Sequence, residues 1–139
     1  MEIDKKIVDF ITQHHVLTLA TSVDNIPYTA NCFYAYDEPS RCFIFSSDED
    51  TRHIADVQKN TLVAGSIVLE TNTVGKIQGL QFQGVIEKNT DDNIKKKYLK
   101  RFPYARLMET TLWTLKLSFV KYTDNRLGFG KKLIQGTVK

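Results

Sequence analysis

Three hydroxyls, a guanidinium and an imidazole stand close together near the middle of the chain. Ser46 and Ser47 follow a short apolar run, and Thr51, Arg52 and His53 come just beyond an acidic turn, Asp48-Glu49-Asp50. The set is rich in donors, so its chemistry is anion recognition. A helix that starts at Thr51 adds to the attraction. The first N–H groups of a helix have no partner within it, and the positive end of the dipole lies there. Basic residues in that first turn are poorly placed for helix stability alone. An anion resting over them accounts for their position. A plainer reading of the same residues has Arg52 paired with Asp48, Glu49 or Asp50 at the surface, where such pairs are weak.

Positioning these residues takes a strand, a tight turn and a helix. Cys42 to Phe45 is a β-rich apolar run. Thr51 is expected as N-cap, its hydroxyl accepting from a backbone N–H two or three residues on. The helix then runs through Ile54, Ala55 and Val57.

Before this stretch, Ile3, Ile7, Phe10 and Ile11 recur at helical spacing and predict an amphipathic helix that ends near His14-His15. Val16 to Thr21 is a strand, Asp24-Asn25 a turn, and Pro27 opens the next strand. Residues 28–36 alternate, and both faces read as largely buried, which leaves Asn31 in need of a partner. After the site helix, Leu62–Leu69 is a strongly apolar strand. Leu80, Phe82, Gly84 and Ile86 form one face of another. Asp91-Asp92 opens a lysine-rich helix that Pro103 stops. Leu112 to Tyr122 is the longest strand, with Trp113, Leu115, Leu117 and Phe119 expected to face in. Leu127–Ile134 reads as a glycine-bearing strand.

The rhythm is strand after strand with short turns, and no βαβ alternation. It predicts a mainly β, α+β fold: an antiparallel split β-barrel of about seven strands with two to three peripheral helices. At 139 residues the chain reads as a single domain, 1–139, long enough for a real core. No apolar run is long enough for a membrane span, and no signal-peptide core opens the chain, so the expected location is the cytoplasm. A net charge of +3 suits anionic ligands but is too small for a nucleic-acid footprint. Cys32 and Cys42 are ten apart without the spacing of a zinc site, so they read as reduced core thiols and no metal is expected. There is no nucleophile elbow, phosphate-binding P-loop or dinucleotide fingerprint, and no acid–base dyad. A catalytic residue is not identified. Any catalysis falls to a cofactor.

Beyond these readings, five segments carry a resemblance: Ala30-Asn31-Cys32-Phe33-Tyr34; Thr51-Arg52-His53; Gly79 to Gly84; Arg101-Phe102-Pro103-Tyr104-Ala105-Arg106; and Thr123 to Lys132. The first helix, Val16 to Ser22, Tyr28 to Asn31 and the strand and turn through Thr51-Arg52-His53 resemble the flavin-binding split-barrel superfamily, whose best-known type is pyridoxamine 5′-phosphate oxidase, and the five segments mark a closer likeness within it. The closer likeness is to its small, uncharacterised YhbP-like branch. The resemblance implies FMN as cofactor. It places the phosphate at Ser46, Ser47, Thr51, Arg52 and His53, with His53 where the superfamily usually has lysine. It puts Asn31 and Phe33 near the isoalloxazine ring. It implies a homodimer with flavin at the interface, reached by Gln78 or Gln81 of the partner subunit. Lys131 and Lys132 are the alternative phosphate ligands. Phe102 stands where the oxidase pattern has arginine, and the oxidase's C-terminal Arg-x-His pair is absent. These departures argue against pyridoxamine phosphate and leave the small-molecule substrate open.

Three functions follow as expectations: an FMN-dependent oxidoreductase, a flavin carrier without catalysis, and, more remotely, a barrel that binds single-stranded nucleic acid.

Overall fold

The structure, a computed structural model, describes residues 2–109 and 111–138. Asp24 and Asn25 both take positive φ, 53° and 62°, as a two-residue hairpin loop requires. Val23 therefore faces Ile26, and β1 (Val16–Val23) folds back on β2 (Ile26–Asp37). The other strands are β3 (Cys42–Ser46), β4 (Leu62–Val68), β5 (Gln78–Lys88), β6 (Leu112–Asp124) and β7 (Lys132–Gly136). All pair antiparallel in the order β3-β2-β1-β4-β5-β6-β7. A further pairing of β3 with β6 closes the first six into a barrel and leaves β7 on the edge of β6. The expected split barrel is the observed architecture.

Helix α1 (Lys5–Gln13) is capped by the Asp4 side chain, which accepts from the Lys6 N–H at 2.8 Å. It lays Ile7, Phe10 and Ile11 onto a core that includes Leu19, Phe43, Phe82 and Leu115. Helix α2 (Arg52–Lys59) follows the acidic turn, and α3 (Asp92–Arg101) covers Ala35 and Ile44 with Tyr98. Short 3₁₀ turns occupy Val74–Lys76, Pro103–Leu107 and Asn125–Leu127. No helix among the described residues is long and apolar enough to cross a membrane.

Three expectations need correction. Both faces of β2 are expected to be buried; one is buried from Cys32 to Tyr36, the other only at Ala35, under α3. Cys32, Tyr34 and Tyr36 are buried, while Thr29, Asn31 and Phe33 lie on an exposed outer face. Phe119 was expected to face in with Trp113, Leu115 and Leu117. The register shifts at Gln83/Gly84, where Gln83 pairs with Phe119 and Gly84 with Leu117. That extra residue in β6 reverses the alternation, so Val120 and Tyr122 face in and Phe119 turns outward. Gly84 sits at the kink because a Cβ there would stand 2.4 Å from the Lys116 carbonyl oxygen. Finally, Leu127–Ile134 is not one strand. Asn125 ties the segment into a loop, donating from Nδ2 to the Val74 carbonyl (2.9 Å) and accepting from the Gly130 N–H (3.1 Å). The strand begins only at Lys132.

Candidate functional site

Tyr34 pairs with Phe45, so the end of β3 and its turn run beside Cys32 and Phe33 of β2. Ser46 and Ser47 are half-buried there. Ser47 is fixed at three atoms. Its N–H donates to the Thr111 carbonyl (3.2 Å), its carbonyl accepts from Trp113 Nε1 (2.9 Å), and its Oγ lies 2.7 Å from His53 Nε2. Burial lowers the pKa of His53, with the charge of Asp56 acting the other way. Burial also pushes the Cys32 thiol up to about 11, against its contact with Ser47, so it stays protonated.

Thr51 occupies the N-cap position in extended backbone, but its hydroxyl makes no capping bond. It donates instead to the Asp48 carbonyl at 2.8 Å, because the turn leaves that oxygen within reach. The expected acceptor role is thus not observed. No side chain caps the first turn of α2, which keeps its N–H groups open to an anion.

Arg52 pairs with Asp56, one helical turn along, and not with the acidic turn. Its Nε donates to Asp56 Oδ1 at 3.1 Å, and its guanidinium lies over the Tyr28 ring at 4.8 Å. Asp56 is only 6% exposed, and Thr21 donates to its other oxygen at 2.8 Å. The Thr21 hydroxyl, and Arg52 after it, hold the Asp56 carboxyl below the usual range against the opposing effect of burial. The Arg52 side chain remains half exposed. Sequence reasoning missed Asp56. Its i,i+4 spacing from Arg52 was the available signal.

The remaining predicted residues divide by face and by distance. Asn31 faces outward and accepts from the Thr18 hydroxyl at 3.0 Å. Phe33 is 61% exposed and meets the edge of Phe102 at 5.9 Å. Across the sheet, Asn31 pairs with Thr18, Thr18 with Ser66, and Ser66 with Gln81. Gln81 is exposed on this outer face, beside an open concavity of about 430 Å³ lined in part by Ala64, Gln83 and Phe119. Gln78 differs: its side chain points inward, in step with Leu80 and Phe82, and is 8% exposed. Lys131 and Lys132 are exposed, but Lys132 pairs with Thr123 whereas Ser46 pairs with Leu112. They lie at the other end of β6, so within one chain they do not join Arg52.

A family model described as pyridoxamine 5′-phosphate oxidase matches residues 3–123. A UPF0306 protein of Klebsiella pneumoniae (strain 342) is 39% identical over 127 residues, covering 89% of this chain and 86% of its own length. The UPF0306 protein YhbP of Escherichia fergusonii is 36% identical over 137 residues, covering 96% and 93%. Among solved structures, an FAD-binding protein from Mesorhizobium loti superposes with a TM-score of 0.71 at 16% identity, over 83% of this chain and 87% of that one. A heme binding protein from Mycobacterium smegmatis gives 0.74 at 15% identity, over 91% of this chain. This chain spans about half of that protein, 54%. At such identities these likenesses show the fold alone.

Proposed function

Because the chain belongs to the pyridoxamine 5′-phosphate oxidase family, we propose that it binds FMN and acts as a cytoplasmic flavin-dependent oxidoreductase on a small molecule. The observation that carries this reading is Arg52. It is hydrogen-bonded to Asp56 through Nε and lies over the Tyr28 ring, beside a helix start that no side chain caps. The donor set fits a phosphate: a half-exposed guanidinium, an imidazole, the hydroxyls of Ser46 and Ser47, and the first-turn N–H groups. Arg52 and His53 carry the charge, while Ser47 fixes the ring plane of His53. Asp56 and Thr21 position Arg52 from below. Asn31 and Phe33 line the approach from the outer face. Flavin bound there supplies hydride or electron transfer, with the protein setting its orientation.

The outer sheet face supports a homodimer. It presents Ala20, Ala64, Ser66, Gln83 and Phe119 without a charged side chain at its centre. Gln81, not Gln78, is then the glutamine placed to reach a partner's flavin.

The test is reconstitution followed by a visible spectrum. Folded protein titrated with FMN should quench flavin fluorescence with micromolar or tighter affinity, about −8 kcal/mol or better. Folded protein that ignores FMN but takes up hemin, with a Soret band, overturns the flavin reading. Turnover with a reduced nicotinamide separates an oxidoreductase from a flavin carrier.

A further inference from the structure

A second cavity lies between α1 and the turn at Asn125–Leu127, built from residues the flavin reading does not use. Its volume is about 220 Å³, and Lys6, Phe10, Gln13, Gln78, Arg126 and Leu127 contribute to its walls. This is below the roughly 300–1,000 Å³ usual for drug-sized ligands, so the occupant is small. At its base lies the Gln78 amide, 8% exposed. Its Oε1 faces the Tyr122 hydroxyl at 3.4 Å, and no described residue accepts from its Nε2. That N–H is open to solvent in the cavity, where an entering acceptor can reach it.

The charges around the cavity decide the sign of the ligand. Asp124 is buried and already neutralised, accepting from Arg126 Nε (3.0 Å) and Nη2 (2.9 Å). Asp9 is paired with Lys5 at 2.8 Å. Lys6 has no carboxylate partner among the described residues. The uncompensated charge is therefore positive.

We propose that this cavity binds a small organic carboxylate. The Lys6 ammonium and the Gln78 amide receive its oxygens, and its carbon tail lies against Phe10 and Leu127. The site is separate from the flavin turn, since Gln78 pairs with Asp124 at one end of β6 and Ser46 with Leu112 at the other.

The experiment uses the full ¹⁵N-labelled chain and sodium butyrate, with sodium chloride holding ionic strength constant. Gln78→Leu assigns the Gln78 side-chain amide signal. That signal should move saturably with butyrate, while backbone amides of residues 46–54 stay in place. Butyramide, which has the shape without the charge, should not saturate it. Lys6→Gln, an exposed change that leaves the fold intact, should weaken butyrate about two- to fivefold, the scale of one partly exposed ion pair. No saturable movement of Gln78, equal binding of butyramide, or undiminished affinity in Lys6→Gln overturns the proposal.

Discussion

Arg52 reaches back one helical turn to Asp56, whose carboxylate is buried and also bound by Thr21 from β1. The pair ties the first turn of α2 to the barrel wall. It also fixes the guanidinium before any ligand arrives, which lowers the ordering cost of binding.

Asp56→Asn tests that positioning. The amide keeps the shape but drops the charge that aligns Arg52. FMN affinity should fall, though by less than for loss of Arg52 itself, while riboflavin affinity stays level. A fluorescence titration with both flavins, run beside a thermal melt, reads this. Equal losses for the two flavins would point to general damage to the fold.

His53 gives the site a pH dependence. In the free protein burial lowers its pKa, so the neutral ring is the favoured form. Stability from this group is present above the unfolded pKa and declines as pH falls through that value toward the lowered one. A bound phosphate favours the imidazolium and reverses the sign. FMN affinity should therefore fall as pH rises from about 6.5 to 8, by at most about tenfold per unit, the limit for one proton. His53→Gln should flatten the profile. His53→Lys should raise affinity most at the upper end, because histidine is mostly neutral there. Isothermal titration across this range checks all three, and an unchanged slope in His53→Gln assigns the dependence elsewhere.

The outer sheet face predicts a dimer broken by a single charge. Ala64 pairs with both Ala20 and Gln83 near its centre. Ala64→Arg would bury a guanidinium between two sheets, a cost of several kcal/mol for an unpaired charge. Sedimentation should find the parent protein dimeric at micromolar concentration and the variant monomeric, with weakened FMN binding. A parent protein that sediments as a monomer contradicts the interface.

Much of this was legible in the sequence because it rests on local period and turn chemistry. The hairpin at Asp24-Asn25, the helix after Thr51 and the stop at Pro103 all follow from short-range preferences. Parity along β5 separates the two glutamines. With Leu80 and Phe82 inside, Gln78 had to be inside and Gln81 outside. The missed features depend on partners remote in sequence. The bulge that turns Phe119 outward is visible only in its pairing with Gln83. Phe33 looked buried because an aromatic on an exposed sheet face has the same pattern as one in a core. The Asp56 carboxylate is anchored by Thr21, which lies 35 positions away. No local rule joins those two residues.

The central claim is that Arg52 holds a phosphate, and comparing FMN with riboflavin tests it most directly. Riboflavin lacks only the phosphate. A charge-assisted contact between guanidinium and phosphate contributes roughly 1.5–3 kcal/mol, about tenfold or more in affinity. Both flavins should be titrated into the parent protein and into Arg52→Ala at pH 7. The account predicts that the substitution weakens FMN at least about tenfold and leaves riboflavin nearly unchanged. Equal weakening of the two flavins, or no weakening of FMN, would contradict it.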